Sequence, residues 1–237
     1  MTQLPIQEHK LKIIEIIDET PNVKTFRVET PQQINFLPGQ FFMVRFPDNP
    51  KLQRAYSIAS LPEQKDHMDI TVELVGEFTH LLFESKVNDY LIFKGPYGKS
   101  HFTEDTKNDL ILISGGCGIS ASMSIVRYFT TKKLQNKINL IYSARTPMDI
   151  IYKNEFDKLK EENKNFSYTI TMTRSKPEHN WQGCTGRIDT NLLKQNINNI
   201  KNSLYFLCGP GEFVKSTIAL LESLGAKKEQ IKTDVWG

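Results

Sequence analysis

The feature that most constrains this chain is an apolar run, Leu110-Ile111-Leu112-Ile113, that passes directly into Ser114-Gly115-Gly116-Cys117-Gly118-Ile119-Ser120-Ala121. A continuous run of branched aliphatics has no polar face, which suits a parallel strand covered by helices on both sides. Glycines straight after such a strand let the backbone turn sharply into a helix. The Gly116-x-Gly118-x-x-Ala121 spacing matches the dinucleotide fingerprint, in which amides at a helix start meet a pyrophosphate. Gly115, Gly116, Gly118 and the hydroxyl of Ser120 are the expected contacts. Glycines also make ordinary strand-to-helix turns, so position carries the weight: open α/β sheets hold ligands beyond the C-terminal ends of their strands.

From there strand and helix alternate. Strands are expected at 110–113, 139–143, 168–173, 204–208 and 231–235, and helices at 121–132, 149–162, 190–196 and 212–224. This describes a five-stranded parallel nucleotide-binding α/β domain. Sites specific for NAD place an Asp or Glu on the ribose about twenty residues past the glycines. Here that region reads Tyr142-Ser143-Ala144-Arg145, and an arginine suits the 2′-phosphate of NADPH instead. Arg174 and Arg187 follow later and complete an expected cationic pocket, which favours NADPH over NADH.

Before residue 105 the pattern is different. Short β-branched or alternating segments, broken by Pro, Gly, Asn and Asp, predict strands at 11–17, 24–29, 40–46, 54–60, 68–75 and 90–94. One helix is expected at 78–85. Six short strands suit a small antiparallel Greek-key barrel, because closure removes exposed edges. The expected class is β + α/β, with an antiparallel barrel domain at 1–104, a polar linker at 103–108 and a dinucleotide domain at 105–237.

Charge and cysteine usage exclude several classes. The 30 basic and 27 acidic residues are dispersed and leave a net charge of +3, so no nucleic-acid footprint stands out. Runs such as Lys132-Lys133 and Lys227-Lys228 read as solvated helix ends. Cys117, Cys184 and Cys208 form no C-x-x-C pair, which argues against iron–sulfur, zinc or disulfide frameworks and suits a reducing, cytoplasmic setting. The first ten residues lack the apolar core of a signal peptide, and no run reaches the length of a membrane span.

Taken together, several motifs resemble the ferredoxin–NADP reductase superfamily of flavoenzymes, in the right order over nearly the whole chain. Arg54-Ala55-Tyr56-Ser57 resembles its flavin signature, preceded by Pro38-Gly39-Gln40 and followed by Gly76-x-x-Thr79 and Gly95-Pro96-Tyr97-Gly98. Cys208-Gly209-Pro210-Gly211 and the terminal Asp234-Val235-Trp236-Gly237 are similar to elements of its nucleotide half. The resemblance implies that FAD binds with Arg54 on its phosphates, Tyr56 against the isoalloxazine and Ser57 near N5. It also implies that Gly76 and Thr79 meet a phosphate at a helix N-terminus. Cys208 would face the nicotinamide, Trp236 would gate it and Asp234 would manage a proton. The acid is Asp where plant-type members carry Glu, and one glycine follows the tryptophan. Strand alternation puts Arg54 and Tyr56 on one face and Ser57 on the other, so a bend is expected if all three serve one ligand.

The implied activity is hydride transfer from NADPH or NADH to FAD, then delivery of electrons to a small carrier such as ferredoxin or flavodoxin. A flavin reductase that releases free flavin, a reductase that serves an oxygenase component, and a non-catalytic nucleotide-binding regulatory subunit remain open.

Overall fold

The computed structural model describes residues 4–30 and 34–236, the side chain of Trp236 excepted. The first half is one curled antiparallel sheet of β1 (Gln7–Thr20), β2 (Val23–Glu29), β3 (Phe41–Phe46), β4 (Asn49–Ser57), β5 (His67–Glu73) and β6 (Tyr90–Tyr97). Its order is β4-β3-β6-β1-β2-β5. A bridge between Ile58 and Ile70 joins the two edge strands and closes the barrel. Alternation fills the interior: Leu11 and Ile13, Phe26 and Val28, Phe42 and Val44, and Leu91 and Phe93 point inward and are almost fully buried. Helix α1 (Glu77–Glu84) plugs one end with Phe78 and Leu82.

The second half is a parallel sheet of β7 (Leu110–Gly115), β8 (Ile138–Ala144), β9 (Phe166–Met172), β10 (Cys184–Thr185), β11 (Leu204–Pro210) and β12 (Ile231–Trp236), ordered β10-β9-β8-β7-β11-β12. All six residues of β7 are buried, as its unbroken apolar run requires. Its side chains divide by parity. Leu110 and Leu112 join the core beneath α2 (Ile119–Thr131) and α3 (Phe156–Glu162), whereas Ile111 and Ile113 join that beneath α4 (Thr190–Asn196) and α5 (Gly211–Ser223).

Several elements differ from expectation, β4 among them, which runs 49–57 where a strand at 54–60 is expected. The sheet has six strands because Cys184–Thr185 pairs beside β9, and a two-residue strand carries no periodicity to read. Helix α3 starts at Phe156, not at residue 149. Asp149 instead accepts hydrogen bonds from Thr146, and Tyr152 takes a left-handed backbone at φ 58° that breaks any helix through it.

That break serves the contact between the two halves. The Tyr152 hydroxyl hydrogen-bonds Thr71 of β5, and its amide donates to Glu19 of β1 at 3.4 Å. Arg127 of α2 lies over the Tyr152 ring at 4.9 Å, pairs with Glu155 and donates to the Ala59 carbonyl. Ser124 donates to the Ser60 carbonyl at 2.9 Å and Ser100 to the Thr233 carbonyl at 3.0 Å. The segment that connects the sheets already enters the second core at Phe102, which packs edge-on against Phe206.

Candidate functional site

A cavity of about 330 Å³ opens between barrel and sheet. From the barrel it takes Phe41, Arg54 to Ser57, Thr71, Glu73 and the 75–79 turn; from the sheet it takes Cys117, Ser120, Asp234 and Val235. Its size suits a cofactor ring system with a tail.

The end of β4 supplies one wall. Arg54, Tyr56 and Ser57 all line the cavity, so residues of both strand parities reach it where the strand ends. Tyr56 rests on Phe78 with centroids 5.8 Å apart, and burial pushes its hydroxyl pKa well up, so it stays a neutral ring. Arg54 is exposed, its Nη1 donates to the Gln53 carbonyl at 2.8 Å, and no carboxylate among the described residues pairs with it. A cation left without a partner at a cavity mouth is suited to an anionic ligand.

Thr79 stands in the first turn of α1 and lines the cavity. Its buried hydroxyl donates to the Gly76 carbonyl at 2.9 Å and accepts from the Val75 and Gly76 amides, so it caps α1 from within. An incoming phosphate would meet backbone amides of that turn, with Thr79 shaping it. A Cβ on Gly76 would meet nothing within 4 Å. The protein's own packing leaves that space open for a ligand.

At the inner end three expected residues meet. Ser57 Oγ donates to Asp234 Oδ2 at 2.6 Å, and Cys208 Sγ donates to the same oxygen at 3.8 Å. Register in β11 and β12 sets Cys208 beside Asp234. Burial pushes the Asp234 carboxyl up, while the Ser57 and Cys208 hydrogen bonds hold it down. Burial, then the nearby carboxylate, drives the Cys208 thiol well above its ordinary value, so it remains a thiol. Cys208 is only 1% exposed and reaches the cavity through Asp234. Trp236 pairs with Pro210 through the backbone, and its side chain, hence the expected gate, lies outside the described residues.

Of the glycine turn, Cys117 and Ser120 line the opposite wall, while Gly115, Gly116 and Gly118 are not among the lining residues. Gly116 sits at φ 55°, a conformation that favours glycine, and a Cβ there would meet nothing. Gly115 is needed for packing, since a Cβ would stand 3.2 Å from the Phe213 ring. Gly118 is buried in the turn, and Ser120, which lines the cavity, donates to the Cys117 carbonyl at 3.0 Å.

The three arginines separate. Arg174 and Arg187 are exposed at the ends of β9 and β10, strands in register, and pair with no carboxylate among the described residues. Arg145 instead turns toward the barrel: Nη2 lies 3.2 Å from Glu73 and 3.0 Å from Asp149. Sequence reasoning missed Glu73, Thr71 and Phe41. The first two lie inside an ordinary strand pattern; Phe41 follows Pro38-Gly39-Gln40 and stacks on Tyr97 at 5.7 Å, a pairing that joins two expected motifs. Those motifs are structural: Gln40 donates to the Gly98 carbonyl at 3.2 Å.

Among the described residues no group of three His, Cys, Asp or Glu could hold a metal, and no helix is long and apolar enough to cross a membrane.

Residues 10–102 match the oxidoreductase FAD-binding domain, and residues 112–218 match the oxidoreductase NAD-binding domain. The chain is 31% identical over 200 residues to a subunit of the Na(+)-translocating NADH-quinone reductase of Marinomonas sp., covering 78% of this chain and 48% of that protein. It is 30% identical over 242 residues to the counterpart of that subunit in Mannheimia succiniciproducens, covering 94% of this chain and 58% of that protein. The chain thus spans about half the length of the curated relatives it matches. Among solved structures, the ferredoxin reductase in carbazole 1,9a-dioxygenase superposes with a TM-score of 0.88 at 26% identity, over 99% of this chain and 70% of that one. A ferredoxin NADP+ reductase from Neisseria gonorrhoeae, with bound FAD and NADP, shares the fold at a TM-score of 0.84 and 23% identity, over 96% and 98% of the two chains.

Proposed function

The chain belongs to the ferredoxin reductase-like family of FAD- and NAD(P)-binding oxidoreductases, and we propose that it oxidises a reduced nicotinamide dinucleotide and passes the electrons to a separate protein acceptor. One observation carries this reading: Ser57 of the barrel and Asp234 of the sheet share a hydrogen bond at the inner end of the cavity between the two nucleotide-binding halves. Bound FAD supplies the chemistry that accepts a hydride and releases its electrons onward.

The residues of this chain do the rest. Arg54 and the amides at the start of α1 hold the flavin's phosphates, and Tyr56, backed by Phe78, supports its ring. The Gly116–Ser120 turn receives the dinucleotide's pyrophosphate, and Arg174 with Arg187 favours a 2′-phosphate and hence NADPH. Ser57 and Asp234 orient the reacting edge and hold a proton there, and Cys208 steadies Asp234 from behind. Trp236, at the end of β12, is the proposed cover of the ring.

The acceptor proposed is a ferredoxin, a flavodoxin or an oxygenase component, in line with the 26% identical reductase of a dioxygenase. The relatives named as subunits of a quinone reductase support a second acceptor, a partner within a membrane complex. Anaerobic stopped-flow mixing of purified protein with NADPH and with NADH tests the core reading. Rapid bleaching of retained flavin absorbance supports it. Absence of bleaching with either nucleotide, in the presence of added FAD, rejects it.

A further inference from the structure

A row of hydroxyls crosses the join between the two halves. Phe26 and Val28 of β2 and Ile70 and Val72 of β5 fill the barrel, so alternation turns Thr25 and Thr71 outward, under the second domain. The two threonines stand directly opposite each other in the antiparallel register, are 2% and 4% exposed, and place their hydroxyls 2.7 Å apart. At one end Thr25 Oγ1 donates to Glu19 Oε1 at 2.7 Å; at the other the Tyr152 hydroxyl meets Thr71 Oγ1. Each hydroxyl has one proton to give. With that of Thr25 spent on Glu19, Thr71 donates to Thr25 and Tyr152 donates to Thr71. The row therefore points one way, toward an ionised Glu19.

One end of the row lies in the ligand cavity, since Thr71 lines it beside Glu73 and Cys117. The other end, Glu19, is half-buried and keeps part of its surface in solvent. Burial raises the Glu19 pKa, while Arg127 of α2 lowers it and Glu155, just ahead of α3, raises it. The Glu19 charge also reaches Tyr152 and the Cys117 thiol. Burial holds the Tyr152 phenol well above its ordinary value, so it keeps its proton and serves as a fixed donor. Protonation of Glu19 reverses the row. Glu19 then gives to Thr25 and Thr25 to Thr71; Thr71, accepting from Thr25 and Tyr152, has its own proton free for the cavity.

We infer that Glu19, Thr25 and Thr71 form a proton relay between solvent and a ring held in the cavity, in addition to the proton held at Ser57 and Asp234; this rests on the reading that the cavity holds a flavin reduced by a nicotinamide dinucleotide. The step balances. Hydride brings a proton and an electron pair from the nucleotide's C4 and adds one negative charge to the ring. Glu19 breaks its O–H bond to Thr25, Thr25 passes its own proton to Thr71, and Thr71 passes its own to the ring. The Glu19 carboxylate is refilled from water, and no further oxidant or reductant takes part. When electrons leave for the acceptor, the proton returns by the same three groups.

Stopped-flow mixing of the flavin-loaded protein with NADPH, in weak buffer containing phenol red, follows bleaching and proton uptake in one sample. The unaltered protein takes up its proton in step with bleaching. Thr25→Val keeps the side chain's shape, removes the middle hydroxyl and changes no residue that lines the cavity. Its proton uptake lags bleaching by about a hundredfold, the lower end of what a positioned proton-transfer group contributes. Glu19→Gln lags likewise, and Thr25→Ser, which restores the hydroxyl, brings uptake back into step. Loosened packing alone gives no such lag, because it slows bleaching and uptake together. Uptake that keeps pace with bleaching in Thr25→Val and Glu19→Gln overturns the relay, as does an unaltered protein that takes up no proton. Failure of the underlying reading is distinguishable: neither nucleotide then bleaches the unaltered protein. Dithionite replaces them in that case, and the relay predicts a transient acidification in Thr25→Val that the unaltered protein lacks, because protons released by dithionite oxidation then precede those taken up. Identical dithionite traces overturn it.

Discussion

Ser57 and Asp234, 177 residues apart in the chain, share a 2.6 Å hydrogen bond that ties the last residue of β4 to β12. On the proposed function this contact sets the reacting edge of the site, which gives a sharp expectation. Ser57→Ala and Asp234→Asn each slow flavin reduction at saturating nucleotide by about a hundredfold, the scale on which misplacement of a reacting group is felt. KM changes little in comparison. The Asp234 carboxyl titrates above its ordinary value of 3.8, so the reduction rate should show an inflection above that pH in the unaltered protein, and Asp234→Asn should abolish it. Stopped-flow traces from pH 4.5 upward check both; an inflection that survives in the variant rejects the assignment.

Unlike Arg27 and Arg45 of the barrel, Arg54 has no carboxylate partner among the described residues. Its removal leaves the fold without an orphaned acid, so the loss falls on ligand binding. Arg54→Ala should weaken FAD retention roughly ten- to a hundredfold, with a melting temperature of the flavin-free protein close to that of the unaltered chain. The ratio of flavin to protein absorbance after dialysis reads this directly. Full flavin retention in the variant would remove Arg54 from the phosphate site.

For nucleotide choice, the exposed pair Arg174 and Arg187 at the ends of β9 and β10 is the proposed determinant. Arg174→Ala and Arg187→Ala should each raise KM for NADPH by about tenfold while KM for NADH stays within about twofold. Parallel steady-state assays with the two nucleotides decide it. Equal effects on both would mean that these arginines act only as surface charge.

The fold is legible in the sequence because its signals are local. The apolar run of β7 and the alternation of β1 to β6 each follow from a few neighbouring residues, and parity then assigns side chains to a core. What escapes is non-local or too short. β10 is two residues long, and the delayed start of α3 depends on Tyr152 reaching Thr71 of the barrel, which no helical periodicity records. The site shows the same division. Ser57, Cys208 and Asp234 follow from the resemblance and do meet, yet the spacing of Arg145 points to a nucleotide pocket while its partner Glu73 lies 72 residues earlier. The motif makes Thr79 a ligand contact; the structure places it in the cavity lining and adds a local hydrogen bond to the Gly76 carbonyl that no motif records.

Glu19 offers a prediction about stability. Its carboxylate accepts from Thr25 Oγ1 at 2.7 Å and from the Tyr152 amide at 3.4 Å, at the join between barrel and sheet. Burial nevertheless outweighs these bonds and the pull of Arg127, so its pKa is raised above the ordinary 4.5. A carboxyl whose folded pKa is raised binds its proton more tightly when folded than when unfolded. Its contribution is therefore fully favourable below pH 4.5 and is lost as the pH rises through the higher folded value. Glu19→Gln keeps an acceptor for Thr25 and removes the buried charge. The variant should gain melting temperature relative to the unaltered protein as the pH climbs from 4.5 toward neutrality, with the difference levelling off above the folded pKa. Thermal unfolding of both proteins at half-unit pH steps measures that difference. A variant that loses stability increasingly as the pH rises would show that Glu19 is held as a stabilising carboxylate by Arg127 and its hydrogen bonds.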